Sequence, residues 1–331
     1  MTSVFANLCL LEILTHSTVA ILINKMHIHH RGHTKNVMNK SQIELLIQIA
    51  ETGSFTKAGE HVHMTQPAVS RTVASIEAQL GTKLIKRDKK NGLFFTEVGE
   101  HVLVILRKIM SEFHKVDELV AAERGLEIGK VHVGVYRTAY TRFLPKIIRT
   151  MEEQYPGLEI KLWEGTIDQI KKWLRTECVD VGIITSTDQE FDTIALAEDQ
   201  LIVLLPANHP LATQQTVSIL DLKEQSILMG KDGVEKHIYS LFEEHDLIPK
   251  VRFEMEQLET GISMVQEGLG VTITTKQSIG TLPDQVVMRE LTPKTFRNIQ
   301  LAVRNKKDTS KATDAFIQTA LMLFNPDTLE K

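Results

Sequence analysis

Apolar residues recur at helical spacing in three short segments that follow one another from residue 41 onward. The first helix is predicted to open with a capping box formed by Ser41 and Glu44 and to end at Gly53. Ser54 is predicted to cap a second short helix and Thr65 a third, because hydroxyl residues favour the N-cap position. The apolar stripe of the third helix comprises Val69, Val73, Ile76 and Leu80. The pattern therefore predicts three consecutive helices with very short connections.

A fourth, much longer helix is predicted to follow, because no proline or glycine interrupts the chain between Gly99 and Gly125. We expect it to be about 25 residues long, within residues 98–125. Its apolar residues recur at steps of three or four: Val102, Ile105, Ile109, Phe113, Val116 and Val120. Two interpretations stay open, since such a stripe packs either on its own chain or on a second copy.

After Gly129 the period changes to that of alternating strands and helices. Segments 130–135, 158–165 and 179–184 have strand patterns, and the segments between them have helical ones. This order predicts a parallel α/β sheet. Residues 200–210 are predicted to cross into a second lobe, with the tail returning to the first. We therefore expect lobe I over residues 129–200 and 276–326, and lobe II over residues 201–275.

Residues 1–37 differ from the rest of the chain. Residues 4–23 are apolar, but Glu12 and His16 interrupt them and no Lys or Arg precedes them, which disfavours a membrane span. Four histidines follow between residues 27 and 33, without carboxylate or thiol neighbours that would complete a metal site. We expect an extension with no folded role, no bound metal, and a domain that starts near Met38.

Composition narrows the function classes. The 331-residue chain has 42% hydrophobic and 24% charged residues, which is enough apolar sequence for several globular domains. A net charge of −4 argues against binding polyanions over the whole surface, so a nucleic-acid site must be local. Two cysteines, Cys9 and Cys178, provide no disulfide framework and favour a cytoplasmic location. The sequence lacks nucleophile-elbow, dinucleotide, zinc-protease and phosphate-loop motifs, so neither catalysis nor a cofactor is expected.

The third helix carries polar and small residues beside its apolar stripe. At 100° per residue, Pro67, Ser70 and Arg71 fall on the flank of the stripe, while Gln66 lies at the exposed N-terminal end. Such a helix can enter a DNA major groove, where Gln pairs with adenine and Arg with guanine or phosphate. Capped amphipathic helices are common, however, and packing alone would explain the stripe.

The next segment supports the nucleic-acid interpretation. Two short runs flank an Asn91-Gly92 dipeptide, which favours a tight turn between strands. This hairpin carries five cations: Lys83, Lys86, Arg87, Lys89 and Lys90. A charge run is usually just a solvated edge, but one that directly follows a candidate DNA-reading helix would meet the DNA backbone.

Residues 43–87, "IELLIQIAETGSFTKAGEHVHMTQPAVSRTVASIEAQLGTKLIKR", followed by "FTEVGE", resemble the winged helix-turn-helix of LysR-type transcriptional regulators. The resemblance extends from about Met38 to the C-terminus. Two positions depart from the family pattern: Gly59 stands where alanine is usual, and Ile85 replaces an aromatic residue. The paired cysteines of peroxide-sensing members are also absent from the effector region.

The resemblance implies a multidomain fold and a mode of action. It comprises a winged helix-turn-helix (residues 38–97), a linker helix for dimerisation (residues 98–125), and a two-lobed α/β effector domain like type 2 periplasmic binding proteins. The implied partners are double-stranded promoter DNA, a second or further copies of the chain, and a small anionic molecule between the lobes. A solute-binding protein or small-molecule enzyme on the same two lobes is the alternative, but it leaves residues 38–125 unexplained.

The candidate contact residues follow from these assignments. The predicted DNA-binding residues are Ser54, Thr65, Gln66, Pro67, Ala68, Ser70, Arg71, Arg87, Lys89 and Lys90. Ligand residues are sought beyond the carboxyl ends of the strands and at helix N-termini, where hydroxyls and free amides favour an anion. The candidates are Thr138 as hydroxyl donor, Arg137 as counter-charge, Thr185 and Ser186 opposite, and Thr272 or Thr274 at a further edge. Ser and Thr at such positions often only cap a helix.

Overall fold

The computed structural model describes residues 38–88, 92–123, 128–185, 189–231 and 233–325. The chain divides after Thr96 into two compact units. The first unit contains three helices and a two-stranded hairpin: α1 Lys40–Thr52, α2 Phe55–His61, α3 Gln66–Leu80, β1 Ile85–Asp88 and β2 Gly92–Phe95. Strands β1 and β2 pair antiparallel, as the sequence predicted.

The helix boundaries agree with the predicted caps in two cases of three. Ser54 caps α2 by accepting a hydrogen bond from the Lys57 amide, at 3.4 Å. Thr65 is the N-cap residue of α3, although its hydroxyl makes no capping bond. The predicted cap at Ser41 is wrong: α1 begins earlier, because Asn39 and Gln42 form the capping box.

Glu77 joins α3 to the hairpin. Its carboxylate is 6% exposed and accepts hydrogen bonds from the amides of Leu84 and Ile85, at 3.0 and 3.1 Å. Lys83 Nζ lies 2.6 Å from the same carboxylate. Burial by itself would raise the pKa of Glu77, but the bonds from Lys83, Ile85 and Leu84 outweigh it and lower the pKa below 4.5.

Gly59 allows a close approach between α2 and the turn that follows it. A Cβ atom at this position would lie 2.3 Å from the backbone oxygen of Met64 and 3.2 Å from Val69 Cγ2. The helix propensity lost with glycine, roughly 0.5 to 1 kcal/mol, is therefore offset by the tight turn that glycine permits here.

The second unit begins with α4, Glu97–Ala122, which confirms a long uninterrupted helix. One face of α4 is buried through Leu103, Leu106 and Met110. The predicted stripe lies on the other side and is largely exposed, from 38% at Ile109 to 60% at Ile105. This side of α4 is therefore much more exposed in the single chain than the face of Leu103, Leu106 and Met110.

The rest of this unit is a two-lobed α/β structure. Strands β3, β4 and β5 are parallel, with α6 and α7 between them, as predicted. The helices are α5 Arg137–Arg142, α6 Leu144–Gln154, α7 Ile167–Arg175, α8 Glu235–Glu243, α9 Leu258–Gln266 and α10 Lys311–Phe324. The strands are β3 Gly129–Val135, β4 Leu158–Glu164, β5 Val181–Ile184, β6 Asp192–Pro206, β7 Thr216–Ser218, β8 Ser226–Gly230, β9 Lys250–Met255, β10 Thr272–Thr275, β11 Val286–Thr292 and β12 Phe296–Val303.

Strand β6 connects the lobes. Its first half pairs antiparallel with β12, and its second half pairs with β10 and β11. Its residues accordingly divide between two hydrophobic cores, with Leu196 in the first and Leu201, Val203 and Leu205 in the second.

The return to the first lobe comes later in the chain than the sequence indicated. We expected it from residue 276, but β11 pairs with the second half of β6. Its residues Val286 and Leu291 are buried in the cores of the second lobe. Only β12 and α10 pack with the first core, so the crossing follows Thr292; the domain boundaries otherwise stay a prediction.

Glu118 of α4 attaches this helix to the first lobe. Its side chain is 4% exposed, and Oε2 accepts a hydrogen bond from the Lys311 amide at the start of α10, at 3.0 Å. A Cβ atom at Gly129 would lie 2.6 Å from Oε1, so glycine makes the room. Burial, with the nearby charge of Asp180, raises the pKa of Glu118 above 4.5 despite the bond from Lys311.

Within the described ranges, no helix is both long enough and apolar enough to cross a membrane. The apolar segment 4–23 and the histidines of residues 27–33 lie outside those ranges.

Substitution of Glu77 is expected to loosen the hairpin. In Glu77→Gln the charged acceptor of two buried amides is lost, which should cost roughly 1 to 3 kcal/mol of local stability. The measurement is hydrogen exchange of the Leu84 and Ile85 amides. Because folding lowers the pKa of Glu77, wild-type protection should fall as the pH drops below 4.5, and the variant should lose that dependence. The control is Glu60→Gln, which changes an exposed glutamate. Equal protection of the two amides in the wild type, Glu77→Gln and Glu60→Gln would contradict the role of Glu77.

Glu118→Gln is expected to change the pH dependence of stability in the opposite direction. Folding raises the pKa of Glu118, so the folded state holds more protons and the wild type loses stability as the pH rises above 4.5. The variant, which carries no charge there, should melt at a more nearly constant temperature between pH 4.5 and pH 8. Thermal unfolding across this range provides the measurement, and parallel curves for both proteins would refute the assignment.

Candidate functional site

Helix α3 exposes the residues that the sequence assigned to DNA. Val69, Val73 and Ile76 are buried, as predicted for the apolar stripe. The predicted DNA residues on this helix are exposed or half-buried: Thr65, Gln66, Pro67 and Arg71 are exposed, and Ala68 and Ser70 are half-buried. The N-terminal half of α3 therefore presents hydrogen-bonding side chains beside small ones, as a groove-binding helix requires.

A shallow depression brings three predicted residues together. Ser54, Gln66 and Arg87 line it together with Phe55 and Thr56. The guanidinium carbon of Arg87 lies 4.7 Å from the ring centroid of Phe55, a cation–π distance. Phe55 therefore holds the hairpin arginine beside the start of α3; the sequence analysis missed this role because the residue fits an apolar helix position.

The hairpin cations are in different situations. Lys83, Lys86 and Arg87 are all exposed, and Lys83 is also ion-paired with Glu77. The predicted DNA residues Lys89 and Lys90 lie outside the described residues. The three described hairpin cations therefore lie at the surface of the hairpin.

A cleft of about 1000 Å³ lies between the two lobes of the second unit. Of the predicted ligand residues, Arg137, Thr138 and Thr185 line it. Arg137 and Thr138 belong to the first turn of the short helix α5. Arg137 also faces Glu259 of the second lobe, at 3.5 Å between Nη2 and Oε1.

The other predicted ligand residues are not in the cleft. Thr272 is 2% exposed, and its hydroxyl donates to the Leu228 carbonyl, at 2.7 Å, within the second lobe. Thr274 is equally buried and does not line the cleft. Both threonines lie on β10, which pairs with β6 and is covered on both faces. Ser186 lies outside the described residues.

The cleft includes residues that the sequence analysis missed. Tyr136 and Thr166 contribute from the first lobe, and Lys231, His237 and Ser240 from the second. His237 belongs to α8. The sequence signal that could have indicated it is Gly233, which comes shortly before the start of this helix. The pKa of His237 is lowered, chiefly because burial disfavours the charged ring, and also because Arg297 is close; Gly233 and Thr185 oppose this through their backbone groups.

The charged residues around the cleft are almost balanced in sign. The cations are Arg137, Lys171, Lys231 and Lys236, and the acids are Glu164, Asp168, Glu235, Glu244 and Glu256. In the described part of the chain, no three His, Cys, Asp or Glu side chains are grouped as a metal site would need. The arrangement suits hydrogen bonding to a small polar molecule.

Two family profiles match the chain. The profile described as "Bacterial regulatory helix-turn-helix protein, lysR family" matches residues 41–100. The profile described as "LysR substrate binding domain" matches residues 124–324, which is more than half of the chain.

Relatives and solved structures agree with these profiles. The uncharacterised HTH-type transcriptional regulator YvbU of Bacillus subtilis is 40% identical over 292 residues, covering 88% of this chain and 100% of its own length. A full-length OxyR variant from Pseudomonas aeruginosa shares the fold, with a TM-score of 0.71, 24% identity, and coverage of 89% of this chain and 96% of that one. CbnR in complex with its target DNA has a TM-score of 0.60, 19% identity, and coverage of 86% and 99%. The chain belongs to the LysR family of helix-turn-helix transcriptional regulators.

Proposed function

We propose that this regulator binds promoter DNA as a homodimer or homotetramer, and that a small anionic molecule in the interlobe cleft shifts its DNA affinity or geometry. The observation that carries the proposal is the exposed N-terminal half of α3, with Gln66 and Arg71 beside a buried stripe. CbnR, whose fold is similar, was solved with its target DNA. Because promoter DNA is the target, we place the protein in the cytoplasm and propose no catalytic role for it.

The DNA contacts are proposed by position. Gln66, Ser70 and Arg71 would meet base edges, with Pro67 and Ala68 allowing close approach. Ser54, Thr65 and Arg87 would contact the phosphates, and Lys89 and Lys90 are assigned from the sequence alone.

Dimerisation is proposed through the stripe on α4. Ile105, Val116 and Val120 are each more than 50% exposed, and they lie along one side of a 26-residue helix. Apolar side chains in a continuous row are stabilised when a second helix covers them. Two copies packed antiparallel would separate two DNA-reading units and match an inverted-repeat site.

The ligand is proposed to bind beside Thr138 and Thr185, with Arg137 near the entrance. All three residues line, from the first lobe, a cleft of about 1000 Å³ that is large enough for a metabolite. The alternative, a solute-binding protein without DNA, leaves the first unit and the exposed α4 stripe without a role.

The primary experiment is a gel-shift titration of the full chain with the DNA upstream of its own gene, at two salt concentrations. We expect a retarded band that unlabelled promoter DNA competes away and that weakens steeply with salt, since phosphate contacts release counterions. A chain starting at Met38 should behave alike if residues 1–37 are dispensable. A folded protein that gives no shift would favour the solute-binding alternative.

Arg71→Ala distinguishes base reading from phosphate contact. If Arg71 pairs with a base, promoter affinity should fall by roughly 1 to 3 kcal/mol while affinity for random DNA barely changes. Equal losses on both DNAs would show a phosphate contact instead. Gln79→Ala, at the exposed C-terminal end of the same helix, is the matched control and should bind normally.

Ile105→Glu is expected to dissociate the dimer, because Ile105 is 60% exposed in the single chain and the proposed interface would bury a carboxylate there at a high cost. Sedimentation velocity would show a smaller species, and affinity for an inverted repeat should fall. Lys108→Glu introduces the same acid on the polar flank of α4 and should leave assembly unchanged. An Ile105→Glu protein that remains dimeric would rule out this interface.

A further inference from the structure

Arg87 is the cation of β1 that lies on the inner face of the hairpin, the face turned towards the helices. Ile85 and Phe95 are register partners and are each 9% exposed, so their face of the hairpin packs inward. Because side chains alternate along a strand, Arg87 shares the face of Ile85, whereas Lys86 lies on the opposite face. The register partner of Lys86 is Phe94, which is 42% exposed, as expected for the outer face.

Phe55 provides a fixed aromatic ring next to the Arg87 guanidinium. It is the first residue of α2 and is 9% exposed, and Ser54 caps the helix directly before it. The guanidinium carbon of Arg87 lies 4.7 Å from the centroid of the ring. At this distance the negative face of an aromatic ring attracts a cation. The arginine is therefore attached to the helical part of the unit by a ring that packing already holds in place.

The contact with the ring leaves the hydrogen-bond donors of Arg87 available. Attraction to a ring face uses no N–H group, and a guanidinium carries five N–H donors in a planar fork. Lys83 differs, because its ammonium already lies 2.6 Å from the Glu77 carboxylate. A long exposed side chain also loses conformational entropy when it contacts DNA, and an arginine that Phe55 already holds loses less.

The depression around this contact has the composition of a phosphate site. Its described lining residues come from the corner between α1 and α2, the start of α3 and the hairpin. The lining contains one cation, Arg87, together with the hydroxyls of Ser54 and Thr56 and the amide of Gln66, and none of the described lining residues is acidic. Several donors around one guanidinium, without an acid, favour an anionic phosphate oxygen.

We propose that this depression receives one phosphate of the DNA backbone, and that Phe55 is a positioning residue for DNA binding because it holds Arg87 in place for that phosphate. The phosphate would accept hydrogen bonds from Arg87 and Ser54, and the ring would act through the guanidinium. The inference rests on the proposed function, in which this unit binds promoter DNA. It goes beyond that function because it makes DNA affinity depend on a buried apolar side chain.

The test measures how tightly the full chain binds two labelled DNAs, the fragment upstream of its own gene and random DNA of equal length. Fluorescence anisotropy over a series of salt concentrations gives the affinity and its salt dependence. The slope of log affinity against log salt counts phosphate contacts, at about 0.9 for each contact.

Phe55→Leu keeps an apolar side chain at the buried position and removes the ring. We expect its affinity to fall about threefold or more, since the attraction that holds Arg87 is lost. Phosphate contacts carry no sequence information, so both DNAs should be affected equally. Wild-type affinity of Phe55→Leu for both DNAs would overturn the proposal.

A double-mutant cycle separates positioning from a general effect on structure. Arg87→Gln should weaken binding at least as much as Phe55→Leu and should reduce the salt slope by about 0.9. Adding Phe55→Leu to Arg87→Gln should cause no further loss, because the ring then has no guanidinium to hold. Two losses that simply multiply, or an unchanged salt slope in Arg87→Gln, would overturn the proposal.

Matched variants control for packing. Phe55→Tyr retains an aromatic ring and should bind DNA like the wild type. Ile49→Val removes one methylene from a 0% exposed position of α1 and should leave affinity and salt slope unchanged. Equal losses of affinity in Phe55→Leu and Ile49→Val would show a packing effect and overturn the proposal.

Two further results keep the test decisive. If Phe55→Leu does not fold, Arg87→Lys replaces it: lysine keeps the charge but lacks the planar fork, so affinity should fall about threefold or more, and wild-type affinity overturns the proposal. A folded wild-type protein that binds neither DNA would refute the proposed function itself. Salt-sensitive promoter binding by the wild type, with normal binding by Phe55→Leu, would refute this inference alone.

Discussion

The two-lobed unit depends on the backbone pairing of one strand, β6, with partners in both lobes. Residues 192–200 pair with β12, and residues 201–206 pair with β10 and β11. Leu201 through Leu205 are completely buried, because core side chains cover both faces of the strand there. A continuous hydrogen-bonded strand therefore fixes where one lobe ends and the other begins, and the cleft walls follow from it.

Three buried carboxylates link secondary-structure elements to one another. Glu77 connects α3 to the hairpin, Glu118 connects α4 to the start of α10, and Asp199 connects the two crossing strands. Each accepts a hydrogen bond from a backbone amide, which is directional in a way that apolar contact is not. Hydrophobic burial thus stabilises the helices and strands, while the hydrogen bonds of these carboxylates fix the relative positions of neighbouring elements.

Membership of the LysR family accounts for the order of the parts: a DNA-reading unit, a long helix, and two lobes with a cleft. In this chain the exposed charges around the cleft nearly cancel, and the guanidinium carbon of the buried Arg297 lies 5.6 Å from the ring centroid of the cleft residue Tyr136.

The sequence by itself determined the elements whose signal is local. Periods of 3.6 and 2 located the helices and strands, caps and glycines located several ends, and the flank of α3 indicated Gln66 and Arg71. Thr138 and Thr185 were placed in the cleft from strand ends. Only the tertiary structure decided the rest: Thr272 became interior because β10 is paired and covered, and Arg297 reached Tyr136 from a position distant in sequence. Local sequence patterns cannot predict such contacts between residues distant in sequence, because the contacts depend on which strands pair.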